Sequence, residues 1–187
     1  MKTPHLPETI PTQRTVLRPF RFEDVDDVVA YADDDEWSRY LSGVPRPYRR
    51  AEAIQFLARQ ALLDRAVHPT WAIEIDGHAV GGINIRFRSD WFLAEMGWSI
   101  HRSLWGQGLT TEAAQAAVDC AFRAHATLNR IGATADTRNV ASLRIMEKLG
   151  MCREGVLRQY RLVRGELCDE AYYGLLRSEW EIRRRDE

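Results

Sequence analysis

Trp105-Gly106-Gln107-Gly108-Leu109-Thr110-Thr111-Glu112-Ala113 sits between two different periodicities. Upstream, Leu93 to Ile100 has a strand-like pattern, and downstream an alanine-rich pattern begins that repeats as a helix. A glycine turn joining a strand end to a helix start is a place where anions bind. Gly106 and Gly108 can adopt positive φ and let a ligand approach the main chain, while the unpaired N–H groups of the first helical turn point outward with the positive end of the helix dipole. A pyrophosphate would fit such a cradle. The two glycines alone also fit an ordinary strand-to-helix turn, so the rest of the chain has to decide.

Working outward, Thr15 to Phe20 alternates as a first strand, and Val25 to Tyr31 reads as a helix that Asp24 can cap. The acidic run Asp33-Asp34-Asp35-Glu36 reads as a solvated loop or a cation-attracting patch, and Trp37, Tyr40 and Leu41 follow at helical spacing. Arg50 to Leu63 is a second helical region with Ile54, Leu57, Ala61 and Leu62 on one side, ended by Pro69. Trp71 to Ile75 and Val80 to Phe87 flank the hairpin signal Asp76-Gly77-His78, and Ser89-Asp90 makes the next turn. Beyond the glycine turn, a helix from Thr110 to about Ala124 carries the apolar stripe Ala114, Ala117, Val118, Ala121 and Phe122. Arg130 to Ala135 is a further strand. Asn139 caps a helix from Val140 to Leu149 that turns Leu143, Met146 and Leu149 inward and stops at Gly150. Val156 to Val163 and Leu167 to Leu176, hinged at Arg164-Gly165, form a last hairpin. The order implies an α/β sandwich, mainly antiparallel, with one strand–helix–strand unit around the glycine turn.

With 187 residues, 45% of them hydrophobic, the chain can bury one core, and no interior linker divides it, so residues 1–187 read as a single domain. Twenty-six basic and 27 acidic residues cancel to a net charge of −1, which disfavours direct nucleic-acid binding. The chain lacks a run of about 20 apolar residues, and its N-terminus, Met1-Lys2-Thr3-Pro4-His5-Leu6-Pro7, lacks the apolar core of a signal peptide, so a cytoplasmic protein without a membrane span is expected. Cys120, Cys152 and Cys168 are odd in number and far apart, and the five histidines are scattered, so neither a disulfide framework nor a metal site is expected.

The second element is Asp136-Thr137-Arg138-Asn139-Val140-Ala141-Ser142, followed by Glu147-Lys148-Leu149-Gly150-Met151 and Glu154-Gly155, about thirty residues beyond the glycine turn. Paired with that turn it resembles the GNAT superfamily of acetyl-CoA-dependent N-acetyltransferases, most closely the Rim-type branch of ribosomal-protein N-terminal acetyltransferases. Thr15 to Phe20 is similar to that branch's "R-L-x-L-R-P" strand, Glu95-Met96-Gly97-Trp98 to its "E-I-G-Y" strand, and Asp169 with Leu176 to Trp180 to its closing "D…L…E-W" segment. The resemblance implies a bent, mostly antiparallel mixed sheet with splayed central strands and helices on both faces. It further implies that the backbone around Ile100 pairs with pantetheine, that the N–H groups of Gln107, Gly108, Leu109, Thr110 and Thr111 hold the pyrophosphate, and that Asn139 lies near the thioester. Trp105 stands where the superfamily often has Arg or Gln, and Thr110 where it has Gly or Ala; the Thr110 hydroxyl can bond a phosphate or cap the helix.

The superfamily's tyrosine acid has no counterpart here, because Met146 occupies its position; the Rim-type serine acid matches Ser142. A glutamate base of one part of the branch would fall near Arg161, so Glu95 is the remaining base candidate, with a strand-edge ion pair as its other reading. A lysine amine, pKa about 10.4, is almost wholly protonated at neutral pH, whereas an α-amine of about 7.7–8.0 is roughly a tenth neutral. A site without an assured base therefore suits an α-amine, and the expected reaction is direct acetyl transfer to a primary amine, foremost a protein N-terminus. A drug, polyamine or amino acid is the alternative acceptor, and an acyl-CoA-binding sensor without catalysis the alternative class. A homodimer through a sheet edge stays open.

Overall fold

The computed structural model describes residues 6–88 and 90–185. Among these, eight strands form one sheet: β1 (Ile10–Pro11), β2 (Val16–Arg18), β3 (Thr70–Ile75), β4 (His78–Phe87), β5 (Leu93–Ile100), β6 (Arg130–Asp136), β7 (Cys152–Val163) and β8 (Glu166–Leu176). Their spatial order is β1-β2-β3-β4-β5-β6-β8-β7, and of these pairings only β5–β6 is parallel. The same residues form five helices, α1 (Val25–Ala32), α2 (Arg50–Leu62), α3 (Leu109–Ala124), α4 (Val140–Lys148) and α5 (Arg177–Arg183). A parallel pair needs a long crossover, and α3 supplies it between β5 and β6.

The two hairpins turn where φ is positive. Asp76 (50°) with Gly77 (86°), and Arg164 (54°) with Gly165 (84°), take the left-handed angles that tight hairpins need. Alternation along β4 then sorts the two faces. Ile83, Ile85 and Phe87 point into a cluster with the α3 stripe, where Ala114, Ala117, Val118, Ala121 and Phe122 are all buried. Gly82 and the residues two and four further on face the other way. There Phe20 lies against Gly82, and Val25, Val28, Tyr31, Ala53 and Leu57 of α1 and α2 form a second cluster with Tyr48. Helices therefore cover both faces of the sheet.

Several boundaries differ from the sequence reading. The strand β1 carries no alternation of its own and exists by pairing with β2. Leu57 is the buried centre of α2 with Ala53, whereas Ile54 and Leu62 face solvent, so the inward stripe runs one position earlier than the apolar count suggests. The helix stops at Leu62, well before Pro69, and Asp64 closes the next turn through its carbonyl to Val67 and His68. Trp37 and Tyr40 lie in turns, and Leu41 in irregular chain just after them, rather than in a helix. Of the turn read at Ser89-Asp90, Ser89 lies outside the described residues, as do residues 1–5 of the N-terminal segment; the Asp90 carboxylate accepts from the Phe92 N–H at 3.1 Å.

Asp24 does not cap α1 with its side chain. Its carboxylate instead accepts two hydrogen bonds from Arg18 at 2.7 and 2.8 Å and one from the Arg21 N–H at 2.7 Å, while Arg18 also pairs with Glu74. Arg18 and Asp24 are both buried, and the charges that compensate theirs are each other and Glu74. Removing one partner of such a pair strands a buried charge. Asp24→Asn is expected to lower stability by about 3 kcal/mol, read as a shifted urea midpoint with an unchanged slope; an unshifted midpoint would show the pair to be dispensable.

Candidate active site

The glycine turn is tied down from three sides. At the end of β5 the His101 N–H donates to the Val80 carbonyl at 2.7 Å, and the Trp105 indole N–H donates to the Ile100 carbonyl at 3.0 Å. Trp105 thus fastens the turn to the strand it leaves. Gly106 (φ 74°) and Gly108 (φ 78°) then reverse the chain, and Gly108 serves as N-cap of α3 without a side-chain cap. The first N–H groups of α3 have no intrahelical acceptors and face the turn. Thr110, expected as a cap or phosphate ligand, lies one residue inside the helix and is buried; it does not cap.

The third tie comes from Arg14. Its guanidinium donates to Glu112 at 2.7 Å and to the Gln107 carbonyl at 2.9 Å, and its own N–H and the Thr12 hydroxyl both donate to Glu112 at 2.7 Å. A cation therefore stands beside Gly108. These partners are nearly a hundred positions apart, and no local pattern in the sequence signals the contact.

The second motif folds around a fork. Arg138 grips the Asp136 carboxylate through its N–H at 2.9 Å and its guanidinium at 2.8 and 3.0 Å, and reaches Glu166 at 3.0 Å. Burial alone would raise the Asp136 carboxyl, but the Arg138 hydrogen bonds outweigh it and hold it below the usual range. The Asn139 N–H donates to the Asp136 carbonyl at 2.8 Å, and its side-chain oxygen accepts from the Ser142 N–H at 3.2 Å, capping α4. Asp169 closes the same corner, its carbonyl accepting from Thr137 at 3.0 Å and its carboxylate from Gln159 at 2.8 Å.

Between the two motifs the sheet opens. β5 pairs with β6 only from Leu93–Glu95 to Arg130–Gly132; beyond that β5 continues beside β4 and β6 beside β8. A cavity of about 320 Å³ occupies the opening, lined by Trp98, Ser99 and Ile100 of β5, Trp105, Gly106 and Thr110 of the turn, and Asn139 and Ser142 at the start of α4. The structure thus gathers Ile100, Thr110, Asn139 and Ser142 at one cavity, with Gln107, Gly108, Leu109 and Thr111 forming the adjoining turn. A second cavity, about 400 Å³, lies between the sheet and α1–α2 and shares Trp37, Leu41, Trp98 and Ser99 with the first. The two are one cleft with two arms.

The second arm is mainly apolar, with Phe20, Val28, Tyr31, Trp37, Phe56 and Leu63 among its walls, and among the described residues no Asp or Glu lines it. Its titratable members are Tyr31, Tyr48, Arg59 and His68. Burial pushes both tyrosine hydroxyls up and the His68 imidazole down. Neither Trp91 nor Phe92 reaches the cleft, whereas Trp37 and Tyr40 do. Three residues of the acidic run close loops: Asp33 accepts from the Tyr48 N–H at 2.9 Å, Asp34 pairs with Arg102 at 2.7 Å and Asp35 with Arg46 at 2.8 Å, while Glu36 pairs with Arg39 at 3.2 Å and lines the first cavity. Glu95 lines neither cavity. It is exposed and pairs with Arg86 across the β4–β5 ladder at 2.5 Å, the second of its two readings. At the end of α5, Arg184 pairs with Asp119 at 2.6 Å and Arg183 donates to the Lys148 carbonyl at 3.1 Å.

Residues 14–152 match the family model described as the acetyltransferase (GNAT) domain. The uncharacterized N-acetyltransferase YoaA of Bacillus subtilis is 31% identical over 179 residues, covering 89% of this chain and 95% of that protein. Among solved structures, an acetyltransferase of the GNAT family from Bacillus anthracis superposes with a TM-score of 0.79 at 28% identity, covering 91% of this chain and 99% of that one. RimL, a ribosomal L7/L12 α-N-protein acetyltransferase solved with coenzyme A, shares the fold with a TM-score of 0.81 at 18% identity, over 90% and 98% of the two chains. The chain belongs to the GNAT acetyltransferase family, and it is an N-acetyltransferase. Among the described residues no helix is long and apolar enough to cross a membrane.

The Arg14 tie makes the turn sensitive to acid. Burial raises the Glu112 carboxyl, but hydrogen bonds from Thr12 and Arg14 overcome this and hold it below its ordinary value. A depressed carboxyl contributes stability that is complete above the unfolded pKa and is lost as pH falls through the folded one. Glu112→Gln is expected to lower the melting temperature at pH 7 and to flatten its fall below about pH 4.3. Parallel melting curves for variant and parent across that window would remove Glu112 from the acid response.

Proposed function

We propose that this chain transfers an acetyl group from acetyl-CoA directly to a primary α-amine, foremost a protein N-terminus that inserts its first residues into the apolar arm of the cleft. The observation that carries this is the absence of any carboxylate from the described residues lining that arm. A polyamine or a protonated lysine would bring a cation into an apolar space that contains Arg59 and no anion, and an uncompensated buried charge is costly. An α-amine loses its proton far more readily and enters neutral.

The other arm suits the donor. Free N–H groups at the start of α3, the left-handed Gly108 and the neighbouring Arg14 favour a pyrophosphate, while the edge of β5 from Trp98 to Ile100 offers main-chain partners to an extended arm. Gln107, Gly108, Leu109, Thr110 and Thr111 are assigned to the phosphates, Ile100 to the arm and Asn139 to the thioester end. Ser142, which lines this arm at the start of α4, is assigned the donor to the departing sulfur, and as a thiolate is a fair leaving group, a weak donor suffices.

Matched peptides test the acceptor: one with a free N-terminus and blocked lysine, the other reversed. The first is expected to show the larger kcat/KM, most clearly near pH 7, with spermidine poorer than either; equal values would overturn the α-amine preference. Ser142→Ala is expected to lower kcat with little change in affinity for acetyl-CoA, since its donation grows as charge develops on sulfur. Loss of folding stability with unchanged kcat would make Ser142 a structural residue only.

A further inference from the structure

Building on the acetyltransferase reading, we infer that His68 is the proton acceptor for the attacking amine. It lies in the connection between α2 and β3 and lines the apolar arm together with Thr70, Asn84, Gly97, Trp98 and Ser99. Its main-chain N–H donates to the Asp64 carbonyl at 2.7 Å, and its ring hydrogen-bonds the Asn84 side chain. Asn84 stands opposite Gly97 in the β4–β5 ladder, and because Gly97 has no side chain the amide lies against β5, 3.1 Å from where a Cβ would be. Two residues further along β5 is Ser99, which both arms share. His68 therefore shares the apolar arm with Ser99, the residue through which that arm meets the donor arm.

Within the apolar arm, elimination points the same way. A base at neutral pH has to hold a free lone pair. Burial, reinforced by Arg86 on β4, favours the neutral imidazole at His68, with the Asn84 hydrogen bond only partly opposing it. Tyr31 on α1 and Tyr48 before α2 keep their protons, and Arg59 on α2 is a permanent cation. Glu95, the other base considered, is paired with Arg86 outside the cleft. In the step itself the amine nitrogen attacks the thioester carbonyl carbon, a C–N bond forms and the C–S bond breaks. The nitrogen's surplus proton passes to the His68 ring, directly or through one water, and on to solvent. The thiolate takes a proton by way of Ser142, leaving one amide and one thiol.

The test uses phenylalaninamide as the probe amine, an α-amine on an apolar body, and follows thiol release from acetyl-CoA. His68→Ala is expected to lower kcat about a hundredfold and to be rescued by added imidazole in proportion to its free-base form, whereas His68→Gln, filling the space, is not rescued. A kcat near that of the parent in both variants, or loss without any imidazole rescue in a folded His68→Ala protein, would overturn the assignment. No amine-dependent thiol release by the parent with phenylalaninamide would defeat the acceptor reading instead. His68 is then judged without turnover, from its ring nitrogen signals in the CoA-loaded protein. A neutral ring at pH 7 that shifts on addition of phenylalaninamide supports the assignment; a ring protonated at pH 7 or unmoved by the amine overturns it.

Discussion

Everything that distinguishes this sheet from an ordinary mixed sheet comes from one short ladder. Three residues of β5 pair with three of β6, and then the two strands part. Main-chain groups cannot be left unpaired in a dry interior, so parting strands must open onto water or a ligand. The opening is sustained because each strand is held on its other side along its whole length, β5 by β4 and β6 by β8. The α3 crossover then delivers a helix N-terminus to one lip of the gap, and the corner after β6 delivers a second to the other. Two sequence-distant motifs become neighbours because a ladder ends early.

The two lips are fixed by different chemistry. On the β5 side, an indole N–H and an arginine hold a turn made of glycines. On the β6 side, a planar guanidinium–carboxylate fork sets the corner, and an asparagine caps α4 beyond it. Arginine forks give direction as well as attraction, which suits a corner that has to aim the first turn of a helix. The apolar arm depends on neither. It forms where α1 and α2 stand off the opposite face of β4, and Gly82 and Gly97 keep that floor low.

Much of this is legible in local pattern. The alternation of Leu93–Ile100 ends where β5 ends, the alanine stripe of α3 is the buried one, and Asn139 caps as its position demands. The family resemblance rests on these same segments. Beyond the reach of local pattern are partners fixed by the sheet's strand order. Asp24 looks like a cap because caps precede helices, but β2 and β3 bring Arg18 and Glu74 to it. Glu95 looks chemical because it lies on the central strand, yet the antiparallel register puts Arg86 directly opposite. His68 looks like one of five scattered histidines, since only the stand-off of α2 from the sheet turns its loop toward the cleft.

The bond between Arg14 and the glycine turn has a consequence for the chain's edge. β1 is two residues long and β2 three, so this margin has few ladder bonds to hold it in place. Its Thr12–Arg14 bridge is anchored instead on Glu112 and the Gln107 carbonyl. Opening the margin and loosening the turn are then a single event. Any ligand that immobilises the turn slows hydrogen exchange at the remote β1–β2 edge, and fraying of that edge weakens the ligand by the same free energy.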